Sequence, residues 1–247
     1  MQKTLLISGV LLALTASVAS AGGINLSWND CGAFGLQNQS FLCNTNSGTP
    51  FQMFASFEPA AYMPKCGALE WVVDLKSAGA VLPAWWNLKG TADAAGRCRD
   101  AGMAMNTNFT AGPFGCADPW GGSIGLEGTQ YVIGYWGPNT ARISGVQAVS
   151  AAFPVALSAG TEYYAFSLII NASKTVGPGA CVGCAEAVCI VLNEIKVEGF
   201  PNTTQQLTGP LARNFVTWQG GAIQNPGCPL ATPTTRSSWG KIKSSYR

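Results

Sequence analysis

Apolar and polar residues alternate over residues 69–76, where the sequence reads LEWVVDLK. Every second position, starting with Leu69 and including Trp71, is apolar, and most of the intervening residues are charged. A period of two is typical of a β-strand with one face buried and the other in solvent. Two longer apolar stretches, residues 163–170 and 188–197, predict central strands that are covered on both faces.

Further strand patterns are weaker and are separated by turns rich in Gly and Pro. They occupy residues 52–57, 103–109, 131–136, 141–148 and 214–218. Helical signals are confined to residues 91–100 and to a single turn within residues 77–86. Many short strands joined by such turns predict an all-β protein. We expect an antiparallel β-sandwich, of jelly-roll or cohesin-like type, with long Gly/Pro-rich loops.

The first 21 residues have the layout of a secretory signal peptide. A basic n-region precedes an apolar stretch over residues 5–18, and Ala19-Ser20-Ala21 forms a small-x-small cleavage site. The apolar stretch is shorter than the roughly 20 residues that a membrane span needs. We therefore expect cleavage before Gly22, no membrane span in the mature chain, and a secreted, cell-surface or periplasmic location.

The remaining chain divides into two parts by charge. Residues 22–225 are expected to form one sandwich domain, and residues 226–247 a basic tail rich in Pro, Ser and Thr. The four basic residues of the last twelve positions have no acidic neighbour, whereas residues 22–235 carry 9 basic and 12 acidic side chains, a net charge of −3. Without a clustered Lys/Arg face, no nucleic-acid partner is expected.

Composition excludes several chemistries. Only 11% of the 247 residues are charged, and the chain contains no His. Ser-His-Asp triads, Cys-His dyads and His-containing metal sites are therefore absent. No nucleophile elbow, Walker loop or dinucleotide fingerprint is present, so no catalytic residue, metal or cofactor is assigned.

Nine cysteines follow the signal peptide, and in an exported chain they predict disulfides with one thiol left over. Local loops favour the pairs Cys31–Cys43 and Cys98–Cys116. Two further bridges would then use the four remaining candidates, which are Cys181, Cys184, Cys189 and Cys228. Cys66 is the predicted free thiol. A redox role for the C-x-x-C sequence, or a zinc or iron–sulfur site in the four-cysteine set, remains an alternative.

Tryptophans and a few loop carboxylates are the candidate ligand-binding residues. Adjacent residues on a strand point in opposite directions, so Trp85 and Trp86 cannot both be buried if they lie on a strand. Trp120 and Trp136 lie beside Gly and Pro in predicted loops, and Asp118 is close to Trp120. We assign these five residues to a carbohydrate site, with core packing as the alternative.

Loop acids also allow a hydrolase hypothesis. Asp30, Asp118 and Glu127 lie in Gly- or Pro-rich segments, and a pair of carboxylates about 5–10 Å apart could hydrolyse a glycoside. The alternative for each of these acids is a role in capping a turn.

Two stretches resemble cohesin-like or carbohydrate-module-like β-sandwich domains of secreted bacterial proteins. They are ALEWVVDLKSAGAVLPAWW (residues 68–86) and the segment from residue 141 to residue 199, in which LSAGTEYYAFSLIINASKTVG leads into AVCIVLNEIKVEG. The resemblance implies the fold and does not transfer a function. The leading hypothesis is a non-enzymatic surface, matrix or adhesion module that binds glycans or other cell-surface polymers. Alternatives are a carboxylate-dependent hydrolase and a subunit that self-associates into a surface layer or filament.

Overall fold

The computed structural model describes residues 22–88, 97–109, 113, 115–122 and 125–220. The predicted signal peptide, the basic tail and the first six residues of the predicted helix over 91–100 lie outside these ranges. Within them, no helix is both long enough and apolar enough to cross a membrane.

Strands make up nearly all of the regular structure in the described residues. Two short 3-10 turns occupy Gly32–Phe34 and Ala84–Trp86, so a helical turn does form within residues 77–86. The strands are β1 (Gly23–Trp28), β2 (Asn38–Gln39), β3 (Phe51–Glu58), β4 (Met63–Ser77), β5 (Met103–Asn106), β6 (Leu126–Ile133), β7 (Thr140–Ala148), β8 (Val155–Leu157), β9 (Tyr163–Ile170), β10 (Val188–Gly199), β11 (Thr203–Leu207) and β12 (Phe215–Trp218).

The strands form two sheets that pack face to face. The smaller sheet has the order β1-β3-β9-β5, and the larger has the order β2-β12-β10-β4-β7-β6, with β11 paired to β10 and β8 to β4. All pairings are antiparallel except β12 with β2. Trp71 of the larger sheet stacks on Phe166 of the smaller one with ring centroids 3.7 Å apart. The predicted disulfide-linked β-sandwich is confirmed.

Burial along β4 follows the period of two that its sequence predicts. Leu69, Trp71 and Val73 are at most 2% exposed, whereas Glu70 and Asp74 on the opposite face are partly exposed. The inward face packs in the core between the sheets, so the outward face of β4 is available to build a surface site.

Strand β9 is buried on both faces for a different reason. Its inward residues fill the core, and its outward Tyr164 packs with Phe54 and Cys31 in a second apolar cluster. The disulfide Cys31–Cys116 ties two loops together over this cluster. These cross-linked loops cover Tyr164, so the outward face of β9 can also carry apolar residues.

Three disulfides between described residues join positions that lie 83 to 141 residues apart. They are Cys31–Cys116, Cys43–Cys184 and Cys98–Cys181. The predicted local pairs Cys31–Cys43 and Cys98–Cys116 are wrong, because the fold brings distant segments closer together than sequence neighbours. The expectation of two bridges within the set Cys181, Cys184, Cys189 and Cys228 is wrong for the same reason, since Cys181 and Cys184 pair outside it. Disulfides are typical of proteins in oxidising compartments.

The C-x-x-C cysteines are not paired with each other. Cys181 and Cys184 bond to different partners, which excludes the redox and metal-cluster alternatives for that set. Cys189 is also disulfide-bonded, and Cys228 lies outside the described residues. Cys66 has a free, buried thiol.

Candidate functional site

Two aromatic side chains are exposed side by side at the turn between β6 and β7. Tyr135 is 43% and Trp136 is 46% exposed. The turn begins at Gly134, whose φ of +75° is readily adopted only without a Cβ. The hydroxyl of Thr140 closes it by accepting a hydrogen bond from the Trp136 N–H at 3.1 Å and donating one to the Gly137 carbonyl at 2.9 Å. The backbone that carries both rings is therefore fixed.

A buried ion pair lies next to these rings on the outward face of the larger sheet. Asp74 of β4 and Arg142 of β7 are directly opposite each other in the antiparallel register. Arg142 Nε donates to Asp74 Oδ1 at 2.7 Å, and Nη2 donates to Oδ2 at 2.6 Å. The side chains are only 7% and 12% exposed. This two-bond geometry fixes the plane and the position of the guanidinium group.

The guanidinium group in turn orients the two rings. Its central carbon lies 4.1 Å from the ring centroid of Tyr135 and 5.0 Å from that of Trp136. Trp136 Nε1 donates to Asp74 Oδ2 at 3.3 Å, and the two rings meet edge to face at 82°. Cation–π contacts and an indole hydrogen bond thus hold a half-exposed aromatic pair in one arrangement.

A β-bulge brings a third strand into the site. The register between β10 and β4 shifts between Leu192 and Glu194, so the intervening Asn193 is an extra residue. Asn193 is 3% exposed and donates from Nδ2 to Asp74 Oδ2 at 2.8 Å. We call Tyr135, Trp136, Arg142, Asp74 and Asn193 the aromatic platform.

The electrostatics of the platform favour binding over proton transfer. Burial lowers the pKa of Arg142, but the hydrogen bonds and negative charge of Asp74 outweigh that effect, and the pKa is raised above its ordinary value. Asp74 accepts four hydrogen bonds from three side chains, including the one from Asn193. The cation stays protonated, and the carboxylate is occupied in positioning its neighbours.

The structure brings Trp136 to the platform and places the other predicted tryptophans elsewhere. Trp85 and Trp86 are both fully buried, because they lie in a 3-10 turn instead of a strand. Both rings pack against Trp218, with centroids 4.8 and 5.3 Å away. Trp120 is 2% exposed. The expectation that these three rings offer faces to a ligand is therefore corrected: they belong to the core.

Two of the predicted loop acids, Asp118 and Asp30, accept hydrogen bonds from backbone N–H groups, whereas Glu127 lies in strand β6. Asp118 accepts from the backbone N–H groups of Trp120 and Gly122, both at 2.8 Å. Asp30 accepts from the N–H groups of Cys31 and Gly115 at 2.7 and 2.9 Å. The contacts of Asp118 are typical of a turn-capping residue, whereas Asp30 also joins its loop to Gly115, 85 positions away. Neither acid lies on the platform.

Comparisons with known proteins return only distant structural similarity. No family model matches the sequence, and no curated protein matches it. The structure is similar to a cohesin module from a family 33 glycoside hydrolase of Clostridium perfringens, with a TM-score of 0.34, 10% identity, and coverage of 80% of this chain and 93% of that one. It is also similar to the second type II cohesin module of the cellulosomal adaptor ScaA scaffoldin of Acetivibrio cellulolyticus, with a TM-score of 0.34, 9% identity, and coverage of 79% and 96%.

The weak resemblance to cohesin modules that the sequence indicates is thus found in the structure as well. At this TM-score and identity it carries no inference about ligands. Any functional conclusion has to come from the platform itself.

Proposed function

We propose that this protein is a non-enzymatic binding module of the cell exterior and that it binds carbohydrate on the aromatic platform. The observation that carries the proposal is the pair of half-exposed rings, Tyr135 and Trp136, held by a buried Arg142–Asp74 pair. Sites that bind ligands combine aromatic surface with a few fixed polar groups.

Neutral sugars fit the platform better than acidic ones. The apolar C–H face of a pyranose ring can pack on an aromatic face, which requires no charge on the ligand. The charge of Arg142 is balanced by Asp74 at 2.6 Å, so it offers little attraction to a carboxylate or sulfate group. Binding is therefore expected to depend weakly on ionic strength.

Affinity electrophoresis through gels containing soluble neutral polysaccharides tests this proposal. We expect the purified protein to be retarded by at least one β- or α-glucan, xylan or mannan. Tyr135→Ala and Trp136→Ala should each weaken binding at least tenfold, which corresponds to about 1.4 kcal/mol. Tyr62→Ala is the matched control, since Tyr62 is 62% exposed and lies just before the first residue of β4, at the opposite end of that strand from Asp74.

Retardation that is unchanged in both platform variants would contradict the assignment of the site. Failure of every polysaccharide to retard the parent protein would contradict carbohydrate binding itself. Release of reducing sugar that depends on Asp118 or Glu127 would support the hydrolase hypothesis instead.

One observation favours self-association as a second candidate. Strand β6 is the last strand of the larger sheet among the described residues, and Leu126 at its start is 84% exposed. An edge strand presents backbone groups that can pair with another chain. If copies associate here, Leu126→Lys should shift the concentration-dependent mass in light scattering towards monomer. A mass that equals one chain at every concentration would contradict this candidate.

A further inference from the structure

Cys189 of β10 is disulfide-bonded, but none of the three disulfides described above includes it. Those three bonds use six of the nine cysteines of the chain, and the thiol of Cys66 is free. Strand register also keeps Cys66 away, since Cys189 is paired with Lys76, ten positions along β4 from Cys66. Ten strand positions span roughly 33 Å. The one cysteine that remains as a partner is Cys228.

The position of Cys189 argues against a bond to a second molecule. Its neighbour Ile190 is fully buried in the core between the sheets, so Cys189 points to the outward face of the larger sheet. An uncovered side chain on that face would be exposed, yet Cys189 is only 2% exposed. Another part of the same chain therefore lies over it, and the sulfur is out of reach of a second molecule.

The chain is long enough to bring Cys228 back to this point. Thr217 of β12 lies directly opposite Cys189, with Cα atoms about 4.5–5.5 Å apart. The backbone turns at Gln219 and Gly220, whose φ angles are +54° and +74°. Gly220 is then at most about 16 Å from Cys189. The eight residues that follow can span about 26–29 Å, which covers the return to the Cα–Cα separation of about 4.4–6.8 Å that a disulfide requires.

We propose that Cys189 and Cys228 form a disulfide in addition to the three described. One S–S bond replaces two S–H bonds, and two protons and two electrons pass to a protein disulfide oxidant of the folding compartment, which is reduced to its dithiol. The bond encloses β11 and β12 and holds β12, whose other neighbour is the two-residue strand β2, against β10. The folded domain then extends to at least residue 228, beyond the boundary expected at residue 225.

This bond also determines where the basic tail begins. Lys76, opposite Cys189, is itself opposite Thr140 of β7. Neighbouring strands are about 4.8 Å apart, so Cys189 lies roughly 10 Å from Thr140 across the sheet. Thr140 supports the backbone of Trp136, so the tail begins on the same face of the sandwich as the aromatic platform. Beyond Cys228 the tail has four basic residues and no acidic ones; the basic residues are Arg236, Lys241, Lys243 and Arg247.

A peptide map of the unreduced protein tests the bond. Free thiols are alkylated in denaturant at mildly acidic pH, where few thiolates are available to exchange disulfides. The chain is then cut with trypsin and with a proteinase specific for Glu. Cleavage after Glu186 separates Cys189 from the two cysteines of the C-x-x-C sequence. We expect fragment 187–194 to be joined to fragment 214–236, and alkylation to be confined to Cys66.

Two truncated chains separate the effect of the bond from that of the tail. A chain that ends at residue 228 retains Cys228 and lacks the tail, whereas a chain that ends at residue 227 lacks both. The longer chain should show one reactive thiol after unfolding and melt like the parent. The shorter chain should show two thiols and melt roughly 10 °C lower, because its unfolded state has lost a cross-link. Cys66→Ala is the control, which should lose the free thiol and retain the linked fragments.

The proposal is overturned if Cys228 is alkylated in the parent protein, or if fragment 214–236 is joined to any fragment other than 187–194. Equal thiol counts in the two truncated chains would overturn it as well. The peptide map uses the parent protein, so it decides the question even where a truncated chain does not fold.

Discussion

Replacement of Asp74 by Ala should damage both the stability of the sandwich and the platform. The substitution leaves the guanidinium group of Arg142, 93% buried at its side chain, without its two-bond acceptor. It also leaves Trp136 Nε1 and Asn193 Nδ2 without their acceptor. Removing one partner of a buried ion pair costs about 3–5 kcal/mol. Because the Asp74 side chain retains 12% exposure, we expect the lower end of that range, about 3 kcal/mol.

Urea unfolding followed by tryptophan fluorescence measures this loss. A decrease of about 3 kcal/mol lowers the urea midpoint by roughly 1–2 M at ordinary m-values. Arg142→Met should be destabilising as well, and the double variant should be more stable than the sum of the two single changes predicts, by about 2 kcal/mol. An Asp74→Ala protein within 1 kcal/mol of the parent, or strictly additive changes, would refute the role given to the pair.

Trp136→Ala separates binding from stability. Trp136 is 46% exposed, so its removal should change the free energy of unfolding by less than about 1 kcal/mol while it weakens glycan binding. Asp74→Ala should reduce both. A Trp136 variant that unfolds as readily as the Asp74 variant would show that the ring has a structural role.

Two further predictions concern the core. A Cβ at Gly145 would lie 1.9 Å from the ring of Trp71, which is stacked on Phe166. Gly145→Ala should therefore destabilise the protein by about 3 kcal/mol in the same urea assay. A loss below about 1 kcal/mol would contradict this. Burial raises the pKa of Cys66 from 9.0 to about 12, so its thiol should react with Ellman's reagent only on unfolding. Above about pH 9 the Cys66 thiol is deprotonated in the unfolded chain but still protonated in the native state. The free energy of unfolding of the parent should therefore fall with pH more steeply than that of Cys66→Ala, by about 1.4 kcal/mol per pH unit.

Strand prediction succeeded where periodicity was strong and failed where a strand was short or lay at an edge. The apolar stretch at residues 163–170 coincides with β9, and residues 69–76 lie within β4. Strand β1 is not among the predicted strands, although Ile24, Leu26 and Trp28 alternate in it with small or polar residues. Strand β6 begins at Leu126, whereas the sequence pattern predicts a start at residue 131. The exposed first half of the strand contains no apolar residue besides Leu126, so it shows no alternation.

The candidate site was only partly predictable. Trp136, beside a Gly-Pro turn, was selected for its loop position, and adjacent Tyr135 could have been found by the same signal. Asp74 appeared only as a polar position on a strand. Its pairing with Arg142 depends on the register of two strands 68 positions apart in the sequence. The bulge that points Asn193 towards the same carboxylate has no recognisable signature in the local sequence.

The sequence by itself determined the all-β class, the buried face of β4 and the abundance of disulfides, because periodicity and composition are local properties. Only the tertiary structure decided which cysteines pair and which tryptophans are buried. It also decided that Asp74, Arg142 and Asn193 meet beneath two exposed rings. Those outcomes depend on contacts between distant segments, which strand register and sheet packing create and which no local pattern encodes.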